Sequence, residues 1–246
     1  MSRVVVWFSC GDPSAVAAKL ALSKFDMRPG DPHFVVARIR IANEHDDNER
    51  FAADVERWLG HPITVLASER YADCWEVWEK RRYLNGPAGA LCTTEMKKMV
   101  RKDFQRADDI QVFGYTVEGV ERARKFRAEN FEVDLRTPLI DAGLTKDDCH
   151  ALVSRAGIEL PAMYRMGYAN NNCRGCVKGG MGYWNKIRVD FPETFARMAR
   201  LERSIGASCI NGVWLDELDP TAGRMSDEPN IACSLMCHIA EKDFAA

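Results

Sequence analysis

No stretch of the 246 residues is apolar for anything like the roughly 20 positions a helix needs to cross a bilayer, so no spanning segment is expected. An excess of one charge is missing too: 34 Lys and Arg stand against 36 Asp and Glu, a formal net charge of −2. A uniformly basic nucleic-acid surface is thereby not indicated, although Lys97, Lys98, Arg101 and Lys102 make a local basic patch. The chain opens on a charged strand without the basic region, apolar stretch and cleavage site of a signal peptide, so a cytoplasmic location is expected. Internal repeats and low-complexity tracts are absent. Histidine is sparse, with five in all. Only His238, beside Cys237, has a ligand-spaced partner, and His45, His61 and His150 read as ordinary surface or cap residues.

Cysteine, by contrast, is abundant. Nine thiols is a high and odd number. In a reducing compartment it points to metal or catalytic use, mixed with buried structural thiols, rather than to disulfides. An apolar share of 46% is ordinary for a chain with a well-buried core. This length makes one α/β domain with an extension, or two small domains.

Hydrophobic patterning predicts strands over 4–8, 34–41, 63–66, 110–115 and, briefly, 133–135. The first is continuously apolar, as central parallel strands are. Helices are expected between them: over 14–25, through Phe51, Val55, Trp58 and Leu59, over 73–84, through Met96, Met99, Val100 and Phe104, over 118–130 and over 145–156. Gly60 and Pro62 stop the second helix, and Thr145 is placed to cap the last, with Asp147 and Asp148 at its positive end. The expected fold is α/β, a doubly wound parallel five-stranded sheet with its ligand at the C-terminal ends of the strands. After about residue 160 the segments 170–176 and 179–182 read as irregular and turn-rich, followed by a helix over 191–205 and a poorly patterned tail. Residues 1–160 are therefore expected to form a nucleotide-binding domain and 161–246 a cysteine-bearing extension.

Ser9-Cys10-Gly11-Asp12-Pro13-Ser14 leads from the first strand into an alanine-rich helix. Ser-x-Gly-x-x-Ser there gathers backbone N–H groups and two hydroxyls at a helix N-terminus, a phosphate cradle. An ordinary strand-to-helix turn with a serine cap has the same letters. No Gly-Lys-Ser/Thr closes the loop, so it is not the P-loop pattern. Cys173 and Cys176 have the two-residue gap that lets both thiolates reach one ion or cluster. Cys92, opening a helix in a glycine-containing region, is the third candidate, and Cys233 is preferred to Cys237 for the fourth place. Cys74 and Cys149 sit within helical patterns and read as buried small hydrophobes. Cys209 reads as structural, and Cys10 as a glycine substitute or a sulfur-handling thiol. Lys97 follows Cys92 by about a turn and a half, placed to steady developing phosphate charge; a solvated basic face is the rival reading. Asp46 and Asp47 read as an acidic helix start. Arg174, Lys178, Tyr183 and Trp184 mix basic and aromatic groups that suit a nucleic-acid strand or the shielding of a cluster.

The loop resembles the PP-loop of adenine-nucleotide α-hydrolases, usually Ser-Gly-Gly-x-Asp-Ser. Ser9, Gly11 and Ser14 match, Cys10 replaces the first glycine, and Pro13 stands at the aspartate. Glu44-His45-Asp46-Asp47-Asn48, Cys92-Thr93-Thr94-Glu95-Met96-Lys97 and Gly114-Tyr115-Thr116-Val117-Glu118 look like the phosphoadenosine-phosphosulfate reductase-like branch. Residues 167–188, with Cys-x-x-Cys-x-x-Gly-Gly-Met-Gly-Tyr-Trp, are similar to its phage and bacterial members, relatives of the sulfurtransferases of DNA phosphorothioation and tRNA thiolation. The resemblance covers nearly the whole chain. It implies an iron–sulfur enzyme that binds ATP or adenylyl sulfate at Ser9, Gly11, Ser14, Glu118 and Arg122. It implies Cys92, Cys173 and Cys176 as ligands of a 4Fe–4S cluster, with Cys233 the fourth. Adenylation-linked sulfur transfer is the leading activity. A sulfonucleotide reductase, with Cys237 as nucleophile, is one alternative, and a zinc-stabilised nucleotide-binding module is another. Expected partners are the adenine nucleotide and a sulfur donor or acceptor; nucleic acid and a homodimer stay open.

Overall fold

The computed structural model describes residues 2–86 and 89–228. Along the chain run β1 (Val4–Trp7), α1 (Asp12–Lys24), β2 (Phe34–Ile39), α2 (Asp47–Leu59), β3 (Ile63–Leu66) and α3 (Cys74–Arg81). A helical stretch follows as α4 (Leu91–Thr93), a π-helical turn (Thr94–Lys98) and α5 (Met99–Phe104). Next come β4 (Ile110–Val112), a 3-10 turn (Val117–Gly119), α6 (Val120–Glu129), β5 (Asp134–Arg136), α7 (Pro138–Asp141), α8 (Lys146–Arg155) and α9 (Ala162–Arg165). Last are α10 (Met181–Asp190), α11 (Pro192–Ile205) and 3-10 turns at Leu215–Glu217 and Met225–Asp227. Among the described residues no helix is long and apolar enough to cross a membrane.

Contacts divide the chain into two compact units, each drawn from three stretches. One takes the chain up to Arg40, Asp46–Leu66 and Asp103–Met166; the other takes Ile41–His45, Ala67–Lys102 and the chain from Gly167. The change of character near residue 160 thus marks only the last crossing from the first unit to the second.

The first unit is the doubly wound, five-stranded, all-parallel sheet, in the order β3-β2-β1-β4-β5. All four residues of β1 are buried because β1 is central, with Val4 opposite Phe34 on one side and Ile110 on the other. Ala15, Ala17, Ala18 and Ala21 are fully buried on α1. Their small side chains let that helix lie close to the core, and α8 packs on it. Thr145 caps α8 in a reciprocal box, accepting from Asp148 N while Asp148 accepts from Thr145 N. β1, β2 and β4 run shorter than their apolar stretches. β4 ends at Val112, level with Val6 and Arg136, where its ladder stops.

The second unit contains α3, α4, α10 and α11. Residues 179–182, read as irregular from their glycines, instead lead into α10. Gly182 is needed for close approach: a Cβ there would lie 2.5 Å from the Arg224 carbonyl carbon. The tail is also ordered as far as it is described. Asn185 Nδ2 donates to the Asp219 and Ala222 carbonyls, Arg188 to those of Leu215 and Leu218, and Glu228 accepts from Gly180 N and Tyr183 N at the start of α10.

Candidate functional site

In the first unit, residues 9–14 leave β1 where the strand order turns back, the place an open parallel sheet presents for a ligand. The Ser14 hydroxyl organises the turn. It donates to the Gly11 carbonyl at 2.7 Å and accepts from Ser9 N at 3.1 Å and Ser9 Oγ at 3.3 Å. Ser9, Gly11 and Ser14 are thus brought together at the N-terminus of α1, with Ser9 exposed and Gly11 the N-cap. Pro13 lies in the first helical turn, where its missing N–H is no loss. Cys10 has φ +57°, a left-handed conformation that suits glycine. Its buried thiol faces the Asn48 carbonyl at 3.8 Å. Gly11 is extended, and a Cβ there would come within 3.2 Å of the Tyr164 hydroxyl.

Four residues that the sequence pattern did not mark stand beside this loop. Asp12, first in α1, is fully buried and lies in close contact with the His150 imidazole from α8. Burial pushes the Asp12 carboxyl above its usual range, against the pull of His150 and Lys146. A more readily neutral Asp12 matters here, because an ionised one would oppose any anion at this helix end. Tyr164 from α9 puts its ring edge-on to His150 at 4.9 Å, and Lys146 Nζ lies 4.9 Å from the same ring's centroid. The residues that do this come from α1, α8 and α9, far apart in sequence, so no local motif announces them.

Glu118 and Arg122 are both exposed. Glu118 accepts from Lys146 N at 3.1 Å, satisfying an orphan donor of α8, and its bond with Thr116 holds its carboxyl below the usual range. The Arg122 guanidinium lies 5.5 Å from the Tyr115 ring centroid.

The second unit gathers the thiols. Cys74, Cys173 and Cys176 are buried, and Cys92 is half-buried. The Tyr183 hydroxyl fixes the Cys-x-x-Cys turn, accepting from Cys176 N at 2.8 Å and donating to the Cys173 carbonyl at 3.0 Å. Tyr183 and Trp184 are both buried, so they brace this turn and present no ring to a nucleic-acid strand. The Cys74 thiol lies beside those of Cys173 and Cys92, which with burial push it well up. Cys74 is buried, as its helical pattern implied, but its neighbours include other thiols. The Cys92 thiol is held down, first by Cys74, then by the Trp78 indole, Lys178 and Lys97. Cys209, read as structural, senses Cys176 and Cys92, but its thiol is bonded to Glu202; burial above all pushes it up. Cys149 lies in the other unit's core, pushed up to about 12 by burial.

Lys97 is buried and pairs with buried Glu44 at 3.5 Å. Lys98 and Arg101 are buried as well, so the solvated basic face is not formed. The π-helical turn explains the alignment of Lys97 with Cys92: its wider winding brings position i+5 back towards the face of i. Cys233 and Cys237 lie outside the described residues.

The donor set fits a soft metal. Thiols from three segments meet in a buried place beside two lysines that would offset thiolate charge. The Trp78 indole N–H, buried and without a directed hydrogen bond, lies against the Cys92 sulfur. No three His, Cys, Asp or Glu side chains among the described residues converge on one ion position.

One unit is a doubly wound parallel sheet with a strand-to-helix loop at its switch point, and the other holds a set of buried thiols. No protein-family model matches the chain, and no curated protein matches its sequence.

Proposed function

We propose that the chain is a PP-loop enzyme that binds an adenine nucleotide at residues 9–14 and holds an iron–sulfur cluster on its second-unit cysteines, carrying out adenylation-linked sulfur transfer. The observation that carries this reading is the meeting of Cys92 and Cys173, distant in sequence, on one buried thiol. In a reducing compartment a cysteine set of this kind points to metal binding or catalysis rather than to disulfides, and Cys-x-x-Cys is a common cluster-ligating pair. The Ser9 hydroxyl and the α1 N-terminus supply hydrogen bonds and partial positive charge to phosphate oxygens. Adenylation then proceeds by attack of an acceptor oxygen on the α-phosphate with departure of pyrophosphate, and a sulfur nucleophile displaces AMP. When bound, the cluster supplies a soft site for the sulfur being moved. Lys97, paired with Glu44, keeps positive charge beside Cys92 and favours its thiolate.

A second reading, a zinc-holding nucleotide-binding module, is favoured by the direct thiol contacts. Sulfurs about 3.8 Å apart are what a tetrahedron of Zn–S bonds of about 2.3 Å requires. Anaerobic purification decides between the two: iron with acid-labile sulfide supports the enzyme, and stoichiometric zinc supports the module. Calorimetry with ATP and adenylyl sulfate, on wild type and Ser9→Ala, tests the loop. Protein that holds neither metal nor nucleotide overturns the proposal.

A further inference from the structure

We infer that Cys74 is the thiolate that completes the metal shell begun by Cys92, Cys173 and Cys176. The inference rests on the metal-holding reading above and names the fourth ligand of that site. Among the described residues, Cys74 lies beside thiols of both other segments, Cys92 and Cys173. Its backbone is tied to the same anchor as the Cys-x-x-Cys turn. Asn43 accepts from Cys74 N with its side-chain oxygen at 2.7 Å and from Arg174 N with its main-chain oxygen at 2.8 Å. One residue therefore sets the distance between the α3 N-terminus and the turn that carries Cys173 and Cys176.

The placement also brings Cys74 to Cys92. Cys74 is the first residue of α3, whose N-cap Asp73 accepts from Glu76 N, and Cys92 is the second residue of α4, which packs against α3. The rival thiol is already committed. Cys209 bonds through its sulfur to Glu202, whose carboxylate also accepts from Cys209 N at 2.6 Å and Leu215 N at 2.8 Å. Recruiting Cys209 would break that bond and leave a buried carboxylate short of a donor.

Metal content, measured as iron, zinc and acid-labile sulfide on anaerobically purified or reconstituted protein, tests this. Cys74→Ser should lose metal several-fold, as Cys92→Ser, Cys173→Ser and Cys176→Ser do, while Cys209→Ser and Cys149→Ser keep the wild-type content. A second measurement needs no variant. In the metal-loaded wild type, native alkylation read by mass spectrometry should spare Cys74, and chelation should expose it together with Cys92, Cys173 and Cys176. Wild type that binds metal, with Cys74→Ser equally loaded, or with Cys74 labelled at the same rate before and after chelation, overturns the inference and leaves the metal reading standing. Wild type that binds neither iron nor zinc overturns both.

Discussion

Asp47 opens α2 with its carboxylate already committed. Arg50 grips both oxygens at 2.7 and 2.8 Å, and Ala162 N, at the head of α9, donates to one of them at 2.8 Å. Arg50 above all, against some burial, holds the Asp47 pKa down to about 2. A depressed carboxylate contributes stability that is present above its unfolded value of about 3.9 and is lost as pH falls through the folded one. Asp47→Asn should therefore flatten the loss of stability between about pH 4 and pH 2. Urea midpoints followed across that range check this, and superimposable profiles for variant and wild type would refute it. The contact also bears on the candidate site, since Asp47 fixes the helix that brings the Tyr164 hydroxyl to Gly11. From the letters alone Asp47 was legible as an acidic helix start, but its grip on α9 was not. The Asp12–His150 pair was hidden for the same reason: each half looks like a cap or surface residue until α1 and α8 pack. Cys74 is the sharpest case. Helical periodicity reports that a position is buried, but not whether its neighbours are aliphatic or other thiols.

At the scale of elements, Gly114 links the sheet to the loop at residues 9–14. A Cβ there would lie 2.8 Å from both Ser14 Cα and Ser14 N, and 2.9 Å from the Pro13 carbonyl carbon. Backbone cannot give way as a flexible side chain can, so Gly114→Ala should push the first turn of α1 off β4. The expected cost is about 1–3 kcal/mol, the usual range for overpacking. Nucleotide affinity should weaken with it, because Ser9 and Ser14 lose their register. Urea denaturation and calorimetry read the two effects, and an unchanged midpoint with unchanged affinity would show the turn to be slack. β1 and α1 were legible because their signals are local: a continuous apolar run, then small residues along one helix. The helix α10 was not. Gly179, Gly180 and Gly182 look like loop, yet Gly182 is there to let the Arg224 backbone approach, and Glu228 anchors the helix start from far along the chain. The π-helical turn had no signature in the pattern either.

At the scale of the whole molecule, each unit is threaded from three stretches, so neither can be cut from the chain as one piece. Their sources of stability differ in kind. The first unit has a buried sheet and an apolar cluster running through β1, α1, α2 and α8. The second has helices held by hydrogen bonds through Asn43, Tyr183, Glu202 and Glu228, and a set of buried thiols. A metal bound only by the folded form adds its binding free energy to the unit that holds it; a ligand at a hundred times its dissociation constant adds about 2.7 kcal/mol. Chelation should therefore raise amide hydrogen exchange in Ala67–Lys102 and from Gly167 to residue 228, well before β1 and α1 respond. ATP should do the reverse, adding protection around residues 9–14 and along α8, where Asp12, Lys146 and His150 meet. Exchange mass spectrometry on the full chain, with metal and nucleotide each present or absent, gives four maps to compare. If chelator and nucleotide alter the same peptides to the same degree, the two ligands do not belong to separate units, and the division of labour between loop and thiols fails with it.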